Sequence, residues 1–284
     1  NYLRRYVDIS MPQYVPDKLR EFGHTAPKRP QNTPHTSPEA RFGKSAQETT
    51  PPDTSEPLPA SGKKRVQQIV GSFLYYGRAV DITILKTLNT LSRQQSKPTV
   101  TTAKHTDHLL DYLATHPLAV IRYSASDMIL QIHSDASYNN EPDARSTAGG
   151  HYFLGKLPRD GEPIVLNGAI YSLCTVLKLV AASAAEAELG ALFLNVQEAK
   201  ILCLILQEMG HPQPPTPIHC DNSTAVGISN STVKRQRSRA MEMRYFWVVD
   251  QVTNQHVRVQ WYPGLENLGD YVTKHHGPKH HHHT

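Results

Sequence analysis

From Met128 onward the apolar pattern changes period in a fixed order, and that order constrains the fold more than any other feature of the chain. Met128 to Ser134 alternates apolar and polar residues into Asp135, the mark of a half-buried strand. His151 to Gly155 and Ile164 to Thr175 read as two more strands, with the turn Pro158-Arg159-Asp160-Gly161 between them. Ser183 to Met209 is the longest helical stretch. Ser183 can cap it, Glu186 completes a capping box, and Gly210 stops it. Pro217 to Cys220 predicts a fourth strand, with a short helix after Asp221. Ser238 to Gln251 predicts a helix, Val257 to Tyr262 a fifth strand, and Glu266 to Lys274 a last helix. The expected fold class is therefore α/β, a mixed five-stranded sheet flanked by helices.

The first part of the chain reads differently. Residues 1–25 predict a strand around Tyr6, Val7 and Ile9, then a helix with Pro16 in its first turn and Gly23 at its end. Residues 26–62 are dominated by Pro, Thr, Ser and Glu and read as a linker, because such a segment buries too little apolar surface to offset its ordering entropy. Residues 63–126 carry helical spacing in three runs. These run through Val66, Ile69, Val70 and Phe73, then Ile82, Leu85, Leu88 and Leu91 in a helix opening near Asp81, then Leu109, Leu110 and Leu113 before His116-Pro117. Residues 127–276 form the α/β part, and 277–284 a His-rich tail.

Composition narrows the partners. A net charge of +5 and a pI near 9.0 suit an acidic polymer. Cys174, Cys203 and Cys220 are too few and too irregularly spaced for a disulfide framework or a structural zinc site, which points to a reducing, intracellular setting. No uninterrupted apolar run approaches the roughly 20 residues of a membrane span, so no membrane partner is expected. The first residue is Asn1 and no signal peptide follows, as expected of a piece of a longer polypeptide.

Four acids hold marked positions. Asp135 closes the first strand of the α/β part, Glu188 lies one turn into the long helix, Asp221 ends the fourth strand, and Asp270 lies in the last helix. Acids at strand ends and helix starts are individually more often caps than catalysts. Together, such positions can converge on one sheet edge. Converging carboxylates repel unless cations sit between them, and hard, oxygen-seeking Mg²⁺ meets that need. Two such ions can activate water against a phosphodiester.

Local strings reinforce the order. Ser134-Asp135-Ala136-Ser137-Tyr138 with Ala144-Arg145-Ser146-Thr147-Ala148-Gly149-Gly150, Ser183-Ala184-Ala185-Glu186-Ala187-Glu188-Leu189, Cys220-Asp221-Asn222-Ser223-Thr224-Ala225, Met241-Glu242-Met243-Arg244-Tyr245-Phe246 and Leu268-Gly269-Asp270-Tyr271-Val272-Thr273-Lys274 occur in sequence. Together they resemble the ribonuclease H domain of copia-type LTR retrotransposons. Upstream, Val7-Asp8-Ile9-Ser10-Met11-Pro12-Gln13-Tyr14 and Ile69-Val70-Gly71-Ser72-Phe73-Leu74-Tyr75-Tyr76 with Asp81-Ile82 resemble the segments after the polymerase palm, the thumb and connection. The resemblance implies a ribonuclease H-like sheet behind a helical thumb/connection module. It implies an endonuclease for the RNA strand of RNA–DNA hybrids, with two Mg²⁺ (Mn²⁺ substituting) on Asp135, Glu188, Asp221 and Asp270. It selects Glu188 over Glu186 as the helical metal acid. The implied partners are the hybrid and the polymerase part of the same polyprotein, in the cytoplasmic virus-like particle of a retroelement or the nucleus.

Nucleic-acid contacts are expected from Arg145, Ser146, Thr147 and Asn222. The basic run Lys234-Arg235-Gln236-Arg237-Ser238-Arg239, with Arg244 a turn further, is expected to track phosphates through Arg235, Arg237, Arg239 and Arg244. Tyr6-Val7-Asp8 is not a polymerase motif, since Ile9 stands where a second Asp is needed, so no polymerisation is expected. Two other functions fit the same residues: a decayed copy that grips nucleic acid without cutting, and another nuclease or integrase on this fold.

Overall fold

A computed structural model describes residues 1–36, 53–157, 162–232 and 242–279. The interior of the 26–62 linker, the turn at 158–161, the basic run and the last histidines lie outside the described residues. The chain divides into two units.

The helical unit comprises Asp8–Arg122 and Lys274–Thr284. Helix α1 (Tyr14–Glu21) ends where Gly23 takes φ +61°. Helix α2 (Ala60–Ala79) starts earlier than the apolar spacing suggests, on an extended Pro59. Asp81 caps a short 3₁₀ turn through Thr83 N, and α3 (Leu85–Gln94) follows. Helix α4 (Val100–Thr115) opens with a reciprocal capping box between Thr99 and Thr102. The apolar stripes of these helices close on one core that includes Phe73, Leu88, Leu109 and Leu113.

The second unit, Asn1–Val7 and Tyr123–Thr273, holds the sheet. Its strands are β3 (Ile129–Glu141), β4 (Arg145–Gly155), β5 (Ala169–Val176), β6 (Thr216–Cys220) and β7 (Val257–Trp261), after the short strands β1 (Tyr6–Ser10) and β2 (Val120–Ser124) that make a separate ladder. Strand β2 had no counterpart in the sequence reading. The order across the sheet is β5-β4-β3-β6-β7. Strands β3, β4 and β5 pair antiparallel, while β6 and β7 lie parallel to β3. This is the mixed ribonuclease H-like sheet the sequence predicts. Helix α5 (Ala184–Glu208) packs on β3 and β4, and buries Ala187, Ala191, Leu192, Val196 and Ala199 against Leu130, Ile132 and Ile218. It is also long and apolar enough to cross a membrane by length and composition, but its inner face forms this core. Helices α6 (Ser223–Ser229) and α7 (Glu242–Thr253) complete that layer.

The last helix departs from expectation. Residues 264–273 make two 3₁₀ turns, Gly264–Glu266 and Asp270–Val272, in place of an α-helix over 266–274. The reason is local. Asn267 spends its side chain on Gly269 N and Ser134 O, and Asp270, Tyr271, Val272 and Thr273 each bond three residues back. Gly269 lies against β3, where a Cβ would meet His133 O at 2.9 Å and Asp135 N at 3.0 Å. The segment is clamped to the strand too closely for the wider α-helical turn.

The other face of the sheet buries histidines. His133, His151 and His219 are nearly inaccessible, and rings of Phe153 and Tyr262 lie 4.9 to 5.7 Å away. Burial pushes the His151 imidazole down to about 4. Its pKa in the fold lies below that of the unfolded chain, so the unfolded chain takes up the proton first. Stability is therefore expected to hold above about pH 6.5 and to fall by about 3 kcal/mol as pH drops from 6.5 to about 4. Urea unfolding at pH 7 and pH 5 should show about 2 kcal/mol of this loss, the remainder appearing nearer pH 4. A His151→Leu variant that keeps the same slope would show that the proton goes elsewhere.

Candidate active site

Asp135 does not close its strand, as the sequence suggests, but lies in the middle of β3, directly after the stretch paired with β6. Asp221 directly follows β6, whose register aligns Cys220 with Ser134. Glu188 enters from the first turn of α5, and its Oε1 accepts the backbone N–H of Ala136 at 3.2 Å. The carboxylates of Glu188 and Asp221 and the Cys220 sulfur lie within 4.8 Å of one another. The Asp270 segment is tied to Asp135 through Thr273, whose hydroxyl donates to Asp135 Oδ2 and, at 3.0 Å, to the backbone oxygen of Asp270. Asp135, Glu188 and Asp270 are buried, and Asp221 is half-buried.

Each acid is held by its element. Ser183 caps α5 by accepting Glu186 N at 3.2 Å, and the Glu186 carboxylate reaches back to Ala182 N at 2.8 Å. The return bond thus goes one residue before the cap. Glu186 faces solvent as a terminus fastener, while Glu188, two residues on, points inward. Glu186→Gln is expected to cost about 0.5–1 kcal/mol of stability and to leave the acid site working. Thermal unfolding together with a cleavage assay separates the two effects, and lost cleavage would move the helical acid to Glu186. At Asp221, Trp261 Nε1 donates to the backbone oxygen at 2.9 Å, and Gly264 leaves room for the carboxylate, since a Cβ there would meet Asp221 Oδ2 at 2.7 Å.

The donor set is suited to hard cations. The Glu188 and Asp221 carboxylates lie close enough to repel each other, and oxygen ligands are what Mg²⁺ and Mn²⁺ take. The one soft donor, Cys220, stays a thiol. Burial first, then the Glu188, Asp221 and Asp135 carboxylates, push its pKa well above the ordinary value, and its sulfur donates toward Glu188 Oε2 at 3.7 Å.

The expected nucleic-acid residues divide. Ser146 and Thr147 are fully buried, and their hydroxyls serve the β3–β4 turn: Ser146 Oγ accepts Asn139 N, and Thr147 Oγ1 donates to Glu141 Oε1. Their expected contact with nucleic acid gives way to that structural role. Asn222 caps α6 by accepting Ala225 N at 3.0 Å. Arg145 opens β4 half-exposed, and the Arg244 guanidinium lies 5.7 Å from the Phe193 ring. Arg235, Arg237 and Arg239 lie outside the described residues. Residues the sequence reading missed are Asn195, Asn267 and Thr273. A lone Asn within the apolar run Leu192-Phe193-Leu194-Asn195-Val196 was the available signal for Asn195.

No protein-family model matches the sequence. The chain is 26% identical over 223 residues to the retrovirus-related Pol polyprotein from transposon TNT 1-94 of Nicotiana tabacum, a match covering 78% of this chain and 16% of that polyprotein. It is 26% identical over 220 residues to the transposon Ty1-JR2 Gag-Pol polyprotein of Saccharomyces cerevisiae, covering 74% of this chain and 12% of that one. The chain is homologous to retrotransposon Pol polyproteins. It spans less than a fifth of the length of either relative. Among solved structures, it is similar to the N-terminal RNase H domain of Rv2228c from Mycobacterium tuberculosis, with 13% identity, TM-score 0.37, and 51% and 91% of the two chains covered. It is also similar to the foamy viral protease-reverse transcriptase in complex with dsDNA, with 16% identity, TM-score 0.43, and 78% and 41% covered. The ribonuclease H-like assignment of this Pol-related chain stands on its own strand order and connections.

Proposed function

We propose that the sheet unit is a metal-dependent ribonuclease H that hydrolyses the RNA strand of RNA–DNA hybrids during retrotransposon reverse transcription. The observation that carries the reading is the closeness of the Glu188 and Asp221 carboxylates beside the central pair β3–β6, with Glu188 bonded to Ala136 next to Asp135 and Thr273 linking Asp135 to the segment of Asp270. These four residues would hold two Mg²⁺, with Mn²⁺ as a substitute. When bound, such ions supply an activated water and neutralise charge on the phosphodiester.

The chain's own residues do the rest. Thr273 orients the Asp135 carboxylate, Ala136 N orients that of Glu188, and the protonated Cys220 keeps a further negative charge out of the cluster. Recognition of the hybrid would rest on backbone shape and 2′-hydroxyls, with Arg145 and Arg244 as candidate phosphate contacts and little preference among bases. The polymerase part of the same polyprotein is the natural partner, given that the homologues are polyproteins. The setting would be an intracellular virus-like particle.

The test incubates the purified chain with labelled hybrid, duplex RNA and duplex DNA, each with Mg²⁺ or with chelator. Cleavage confined to the RNA of the hybrid, and only with Mg²⁺, is the expected result. Tight binding of hybrid without cleavage in any metal would replace this reading with that of a gripping remnant. Cleavage of duplex DNA would replace it with that of another nuclease.

A further inference from the structure

Helix α5 carries one fully buried amide. Asn195 lies seven residues after Glu188, two turns along and on the same face of the helix. Its Nδ2 donates to Ser134 Oγ at 2.8 Å and to Gly149 O at 2.9 Å, and its Oδ1 accepts the Tyr152 hydroxyl at 2.5 Å. Ser134 directly precedes Asp135, and Gly149 is the residue paired with Asp135 across the β3–β4 ladder. On the other side of Asp135, Ala136 N donates to Glu188. The Asp135 position is thus bracketed by two bonds to one helix, from Asn195 at Ser134 and from Glu188 at Ala136.

The sequence gives up space for this amide. Gly150 pairs with Ser134, and a Cβ at Gly150 would stand 2.1 Å from Asn195 Oδ1. A buried amide is costly unless bonded, and an apolar side chain would fill the volume without needing a neighbouring glycine. What the amide adds is direction: it fixes α5 against β3 and β4 at one rotation and one height.

We propose that Asn195 is a positioning residue for the metal site, setting the spacing between the Glu188 and Asp135 carboxylates by clamping α5 to both central strands. It touches neither substrate nor metal and acts through Ser134 and Gly149. The proposal rests on the reading of the four acids as a cation site.

The test measures Mn²⁺ binding to the full chain by calorimetry and by electron paramagnetic resonance, alongside thermal unfolding and hybrid affinity. Asn195→Ala is expected to weaken Mn²⁺ binding by about 10-fold or more, the size usual for residues that orient metal ligands, with hybrid affinity in chelator unchanged. Val196→Ala, the next residue and a core position, is expected to lower the unfolding temperature and leave Mn²⁺ affinity at the wild-type value. If Asn195→Ala does not fold, Tyr152→Phe carries the test: it frees one end of the amide and is expected to weaken Mn²⁺ binding in the same direction by less. Wild-type Mn²⁺ affinity in the folded Asn195 variant, or in Tyr152→Phe where that variant fails to fold, overturns the clamp. So does an equal loss in Val196→Ala, which would reduce the effect to general stability. A wild-type chain that binds no Mn²⁺ overturns the cation site itself and is distinguished by that.

Discussion

Asp135→Asn is expected to lower hybrid cleavage by more than about 100-fold, beyond the usual effect of losing a residue that merely supports a metal ligand, while the chain stays folded. The amide has the shape of the carboxylate and keeps an oxygen to accept the Thr273 hydroxyl that ties the strand to the 3₁₀ turn. What is removed is one of the four negative charges of the proposed cation site. In chelator, that removal relieves repulsion, and the variant should unfold at the wild-type temperature or above it. In saturating Mg²⁺ the order should reverse, because only the wild type gains the stabilisation of bound cation. Glu188→Gln should behave in the same way. A crossover of unfolding temperatures with metal is the diagnostic measurement. Wild-type cleavage by Asp135→Asn would end the assignment of the site.

How much of this was legible in the sequence depends on the range of the interactions. The strands and α5 were readable because their apolar periods are local, and Ser183 and Glu186 marked the start of α5 to within a residue. The acids were readable as a set because the order of the elements that carry them was readable, although β3 runs on past Asp135, which the apolar alternation ending at Ser134 did not show. The α-helix expected over 266–274 does not form. Asn267 and Gly269 instead bind the segment to β3, a contact with residues more than 130 positions earlier. Ser146 and Thr147 drew attention as part of the family-like string Ala144–Gly150, and a matching string does not say which way a side chain faces. The partner that buries Thr147 is Glu141, across a turn in which Asn139, Asp143 and Ala144 all take positive φ. Asn195 was visible as an oddity in an apolar helix, but its meaning required Ser134, Gly149 and Gly150 to be brought alongside.

Gly149, like Gly150, has no room for a side chain. It faces Asp135 across the ladder, and a Cβ there would meet Thr273 Cγ2 at 2.4 Å, Gly269 O at 2.6 Å and Val272 Cγ2 at 2.9 Å. One of those atoms is backbone, and the others belong to side chains buried at 0% and 1% exposure, so none can step aside cheaply. In Gly149→Ala the 3₁₀ turn must lift from β3. Thr273 then leaves the Asp135 carboxylate, and Asp270 moves away from the other three acids. The expected loss of stability is about 1–3 kcal/mol from overpacking, with cleavage reduced at least about 10-fold even where the variant remains folded. Gly71→Ala is the matching control. Gly71 lies within α2 with nothing inside 4 Å of its added Cβ, so alanine there should stabilise the helical unit by about 0.5–1 kcal/mol and leave cleavage unchanged. Urea unfolding and cleavage at saturating Mg²⁺ on the two variants decide the matter. Wild-type stability and cleavage in Gly149→Ala would mean that the turn bearing Asp270 does not depend on its close seat against β4.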